Sequence, residues 1–179
     1  CVARADGGKS NCLTTECAKT CPEKCDAAVK VGAERTAEYI PFLKGKRVAI
    51  MSNHTGMVGN KHTLDVMLEQ GVNVTTIFSP EHGFRGNADA GEHVSSSVDE
   101  KTGVEILSLY EKGSRIPSKE KTDKFDVLVI DIQDVGLRYY TYYITMHHLM
   151  EACARDGKQV VILDRPNPNG FYVDGPVLD

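Results

Sequence analysis

The chain has 179 residues, 41% of them apolar and 26% charged, with a formal net charge of -4 at pH 7. Such usage excludes a disordered or fibrous chain and a broad electrostatic grip on a nucleic-acid backbone. The length suits one core of packed layers, and no run approaches the roughly 18 apolar residues of a membrane-spanning helix.

Residues 1–44 are polar and read as an N-terminal arm with one short helix around 26–40. The arm holds Cys1, Cys12, Cys17, Cys21 and Cys25. Their spacing fits no common zinc pattern, and it leaves open disulfides in an oxidising compartment or a poorly ordered arm. Cys1 at the first position is also a candidate for a lipid anchor attached after removal of a leader, as in bacterial lipoproteins. The sixth cysteine, Cys153, falls in a helical stretch and is expected as a small core residue.

From Gly45 to Asp179 the pattern alternates strand and helix. Strands are expected at Arg47–Asn53, Val72–Phe78, Val104–Tyr110, Phe125–Asp131 and Gln159–Asp164, each short, β-branched and nearly continuous in apolar residues. Helices are expected at 62–70 and 139–156, stopped by Gly71 and Gly157, with a shorter turn of helix near 117–123. This alternation predicts an α/β fold, a Rossmann-like three-layer sandwich with a mainly parallel sheet and helices on both faces.

All parallel strands point their C-terminal ends one way, and ligands of such sheets bind beyond those ends. The residues just past the strands should therefore converge: Asn53 and its neighbours, Ser79-Pro-Glu-His-Gly83, Asp131 to Gly136, and Asp164-Arg-Pro-Asn-Pro168. The first strand-to-helix turn lacks both the dinucleotide and the nucleoside-triphosphate glycine patterns, so no nucleotide cofactor is expected. No G-x-S-x-G elbow of an α/β-hydrolase occurs either.

The densest chemistry runs from Ser79 to His93, where Glu81, Glu92, His82, His93 and Arg85 lie along a glycine- and alanine-rich stretch. Glycoside hydrolysis needs a protonated carboxyl beside the leaving oxygen and a second group for the developing positive sugar. Glu81, just past a strand end, suits the acid role, with Glu92 or Asp131 as the second group. A turn cap or an ion pair with Arg85 is the structural alternative for Glu81. A metal site from Glu81, His82, Asp89, Glu92 and His93 has no supporting spacing, so no metal is assigned. The run Asp131 to Tyr143 adds Asp134, Arg138 and four tyrosines; Tyr140 is a candidate sugar-stacking face, while at least two of the tyrosines are expected in the core. His147 and His148 are expected as packing or surface residues.

Taken together, Asn53-His-Thr-Gly56, Ser79-Pro-Glu-His-Gly83, Asp89-Ala-Gly-Glu92, Ser108-Leu-Tyr110, Asp131-Ile-Gln-Asp-Val-Gly136, Arg138-Tyr-Tyr-Thr141, Asp164-Arg-Pro-Asn-Pro168 and Gly175-Pro-Val-Leu-Asp179 resemble the bacterial exo-β-N-acetylmuramidases, the NamZ-like family long catalogued as a domain of unknown function. The resemblance runs from about Gly45 to Asp179. It implies a catalytic domain without a cofactor that releases N-acetylmuramic acid from non-reducing ends of peptidoglycan fragments, in the cell envelope. It implies Glu81 as catalytic acid and Tyr110 as its partner, and it implies a further C-terminal domain beyond this chain. The lactyl carboxylate of that sugar calls for an arginine fork, for which Arg85, Arg138 and Arg165 are candidates. Asn53, His82, Asp134, Tyr140 and Asn167 complete the expected binding set. A sugar-binding lipoprotein without turnover and a metal-dependent hydrolase are the competing readings.

Overall fold

Apolar residues two apart on a strand reach the same face of a sheet, and here both sets are covered. The computed structural model describes residues 29–80, 84, 97–109 and 116–177. Val31–Asp179 forms a compact unit that holds the sheet. Its strands are β1 (Arg47–Ser52), β2 (Met57–Val58), β3 (Lys61–His62), β4 (Asn73–Ser79), β5 (Ser97–Val98), β6 (Glu105–Ser108), β7 (Val127–Asp131) and β8 (Gln159–Ile162). Its helices are α1 (Thr36–Leu43), α2 (Thr63–Glu69), α3 (Lys119–Thr122) and α4 (Tyr142–Arg155), preceded by a 3-10 turn at Gly32–Glu34.

Six strands form one sheet in the order β5-β6-β4-β1-β7-β8, parallel except for the edge strand β5. On one face Val48, Ile50, Ile77, Val127 and Val129 pack with Tyr39, Ile40 and Leu43 of α1 and with Leu64 and Met67 of α2. The alternate residues Ala49, Met51, Phe78, Leu128 and Ile130 pack on the other face with Leu149 and Cys153 of α4. This is the expected α/β sandwich, with a core on each side of the sheet. Cys153 is 1% exposed, and burial pushes its thiol up to about 11. The long helices end where expected, at Gly71 and Gly157, whose φ of 78° and 66° no β-carbon residue adopts cheaply.

Three features depart from the sequence pattern, one of them the antiparallel edge strand β5. The helix expected around 26–40 lies at Thr36–Leu43, and Ala33, Tyr39, Ile40 and Leu43 are buried in the core. The compact unit that holds the sheet begins at Val31. Four apolar positions among charged neighbours suffice to close that side of the core, and averaging over a polar segment hides them. The third departure is a small hairpin, β2 with β3, inserted between β1 and α2. Strands of two residues carry no readable periodicity. No helix among the described residues is long and apolar enough to cross a membrane.

Candidate functional site

In chain order the five parallel strands lie as β6-β4-β1 on one side and β7-β8 on the other, so the winding reverses between β1 and β7. A crevice opens at such a reversal, beyond the C-terminal ends of the two strands. The last paired positions there are Ser52 and Asp131. A ligand in that crevice would meet the residues just past each strand end.

Beyond β1, Asn53 is 1% exposed and turns its Oδ1 back on the chain, accepting from Thr55 N at 3.0 Å and from Thr55 Oγ1 at 2.6 Å. Its Nδ2 is buried and has no hydrogen-bond partner among the described residues. An unmet amide donor costs about 1–3 kcal/mol. Its carbonyl meets His62 Nε2 at 2.8 Å, while His62 Nδ1 accepts from Leu64 N at 3.1 Å and caps α2. The turn stays close to the strand because Gly56 has no side chain: a β-carbon there would sit 2.1 Å from Ser52 Oγ and 3.1 Å from Asp131 Oδ2.

Beyond β7, Asp131 is fully buried and both its oxygens are occupied. Arg165 grips it side-on, Nε to Oδ1 at 2.6 Å and Nη2 to Oδ2 at 3.0 Å, and Thr63 Oγ1 donates to Oδ2 at 2.5 Å. Arg165 Nη2 also reaches Met57 O at 2.8 Å, which ties the pair to the β2–β3 hairpin. The side chains are 7% and 0% exposed, and only such multiple, well-aligned bonds offset the desolvation of two charges. Asp131, expected beside the sugar, has no exposed surface and holds Arg165. The side-on geometry leaves one guanidinium nitrogen, Nη1, outside the pair.

The loops after β7 and β8 are bonded to each other. Gln133 Nε2 donates to Asp134 O at 2.7 Å and to Pro166 O at 3.0 Å, and Asn169 Nδ2 donates to Val135 O at 3.0 Å. Asp134 accepts from Gly136 N at 2.6 Å and, with Asp164, Arg165, Tyr143 and Met146, lines a cavity of about 320 Å³. That volume is at the lower end for small-molecule sites. Tyr140 is half-buried and stands edge-on to the buried Tyr142 at 4.5 Å. Arg138 is exposed and donates to Pro176 O at 3.1 Å, and Asn167 is exposed and accepts from Asn169 N at 2.9 Å. His147 is exposed and His148 half-buried.

Glu81, His82, Arg85, Glu92 and Tyr110 lie outside the described residues, as do Asp89, His93 and the five N-terminal cysteines. In the sequence, Glu81 and Tyr110 each come two residues after Ser79 and Ser108, which are paired at the ends of β4 and β6. Phe84, between them in sequence, is buried with its ring 4.7 Å from His62. No cluster of three or more His, Cys, Asp or Glu arranged to hold a metal occurs among the described residues. Sequence reasoning missed Thr63 and the Met57 carbonyl. Thr63 reads as an ordinary helix start, and a backbone acceptor leaves no mark in a sequence.

Known proteins match most of this chain. Residues 48–179 match the family described as "Exo-beta-N-acetylmuramidase NamZ, N-terminal". The "Peptidoglycan beta-N-acetylmuramidase NamZ" of Bacillus subtilis (strain 168) is 44% identical over 145 residues, covering 79% of this chain and 35% of that protein. A crystal structure of a DUF1343 family protein from Bacteroides fragilis NCTC 9343 is 60% identical with a TM-score of 0.70, covering 83% of this chain and 38% of that one. A second DUF1343 protein of the same strain is 42% identical with a TM-score of 0.69, covering 78% of this chain and 35% of its own. The chain thus spans little more than a third of the length of these relatives.

Proposed function

Because the chain belongs to the N-terminal domain family of exo-beta-N-acetylmuramidase NamZ, we propose that it carries the sugar-cleaving site of a peptidoglycan glycoside hydrolase. The substrate is a peptidoglycan fragment, cut from its non-reducing end to release N-acetylmuramic acid. The protein acts in the cell envelope.

The observation that carries this reading is the pairing of unmet donors at the strand reversal. Asn53 Nδ2 is buried with no hydrogen-bond partner among the described residues, and Arg165 is held by its far edge with Nη1 outside the ion pair. A neutral sugar amide or hydroxyl would satisfy the first and a carboxylate the second. N-acetylmuramic acid offers all three groups, and its lactyl carboxylate distinguishes it from N-acetylglucosamine.

In the proposed reaction Glu81 protonates the glycosidic oxygen as its bond to the anomeric carbon breaks. Positive charge grows on the sugar ring, and water bonds to that carbon and gives its proton to a carboxylate, either directly or by displacing an enzyme or substrate group that bonded there first. Tyr110 and Glu92 are the candidates to stabilise that charge, while Asp131 acts through Arg165. Asp134, Tyr140, Arg138 and Asn167 extend the same rim for the remainder of the saccharide, with His82 and Arg85 from the Glu81 segment.

The test is Glu81→Gln in the full-length protein, assayed on a chromogenic N-acetylmuramic acid glycoside. Loss of a general acid should lower kcat by about 10²–10⁴-fold. A near wild-type rate ends the assignment of Glu81. Tight sugar binding by the wild-type protein without turnover would identify a binding protein instead.

A further inference from the structure

Arg165 is aimed by the backbone that precedes it, and that backbone is gripped twice. Leu163 N donates to Ile130 O at 2.8 Å, which fixes it to β7. The second grip comes from outside the strands: Gly32 N, in the 3-10 turn before α1, donates to Asp164 O at 2.7 Å. The two backbones lie so close that a β-carbon on Gly32 would be 2.6 Å from Asp164 N, 2.7 Å from Leu163 C and 2.8 Å from Leu163 Cα. None of those atoms can rotate away, because all are main chain.

The turn itself is braced. Tyr39 in α1 donates its hydroxyl to Ala33 O at 3.0 Å, and Ala33 and Leu163 share one core cluster. Glu34 closes the turn by accepting from Val31 N at 3.1 Å. Tyr39 also senses the ion pair: burial first, then the negative charge of Asp131, push its phenol up to about 12, with Arg165 opposing.

We propose that Gly32 and Tyr39 are positioning residues for Arg165, a strap that holds the Asp164–Arg165 loop so that the free guanidinium edge meets the carboxylate of an acidic sugar. All of the strap lies before residue 48, where the match to the family model begins. The inference rests on the proposed role of Arg165 as the carboxylate ligand. A strap that served stability alone would leave the recognition of charge untouched.

The experiment compares two substrates in the full-length protein: a chromogenic N-acetylmuramic acid glycoside and the methyl ester of its lactyl group, which keeps the sugar and removes the charge. Wild-type enzyme should show a KM about tenfold lower for the acid than for the ester. Equal KM values would overturn the reading of Arg165 and the strap with it. Given a wild-type preference, Tyr39→Phe and Gly32→Ala should each raise the KM for the acid about threefold to tenfold, with kcat and the KM for the ester little changed. Tyr39→Phe keeps the ring and its packing, so it decides the matter if Gly32→Ala does not fold. A wild-type ratio of the two KM values in folded Tyr39→Phe, or in folded Gly32→Ala, overturns the strap and leaves the sugar site standing.

Discussion

Replacing Asp131 by Asn probes the ion pair on which the rim is built. The change keeps the shape but removes the charge that Arg165 faces through Nε at 2.6 Å and Nη2 at 3.0 Å. Since Arg165 is 7% and Asp131 0% exposed, water cannot step in as a partner. Breaking a pair buried this deeply costs about 3–5 kcal/mol, against about 0–1 kcal/mol for a surface pair. At about 2–4 °C per kcal/mol for a domain of this size, the melting temperature should fall by about 10 °C. Urea unfolding followed by circular dichroism measures the loss directly. Adding Arg165→Met should recover much of it, because the double variant no longer strands a charge. A loss below about 1 kcal/mol for Asp131→Asn would place the pair among surface bridges and refute the reasoning.

Gly56→Ala should destabilise the fold by about 1–3 kcal/mol, because the new methyl meets Ser52 Oγ at 2.1 Å. Combining it with Ser52→Ala should restore part of that stability, and a double variant no better than the single one would contradict the close approach. The alkaline limb of stability should carry Cys153, whose folded thiol is raised to about 11 from its ordinary 9.0. A group raised on folding contributes fully below its unfolded pKa and loses that contribution as pH climbs through its folded one. Wild-type stability should therefore fall from pH 9 to 11 more steeply than that of Cys153→Ala, and parallel slopes would argue against the shift.

The strand-helix alternation was legible because buried parallel strands must be continuously apolar, as Val48 to Met51 and Val127 to Ile130 are. Gly71 and Gly157 marked helix ends for an equally local reason, their positive φ. The site was legible as a set of strand-end residues, since topology alone gathers them. Their partnerships were not. Asp131 and Arg165 both looked like substrate contacts, yet they bind one another across 34 positions of sequence, and burial decides which of the two has an edge left over. Tyr39 and Gly32 were invisible for the opposite reason: they sit in a polar stretch, and their importance lies in close contact with Ala33 and Asp164 that composition cannot register.

The most direct measurement is a crystal structure of the full-length protein with N-acetylmuramic acid bound. The sugar should lie beyond the ends of β1 and β7, with an acceptor within hydrogen-bond distance of Asn53 Nδ2 and its carboxylate on Arg165 Nη1. A sugar bound away from those strand ends, with both donors left as they are, would contradict the account.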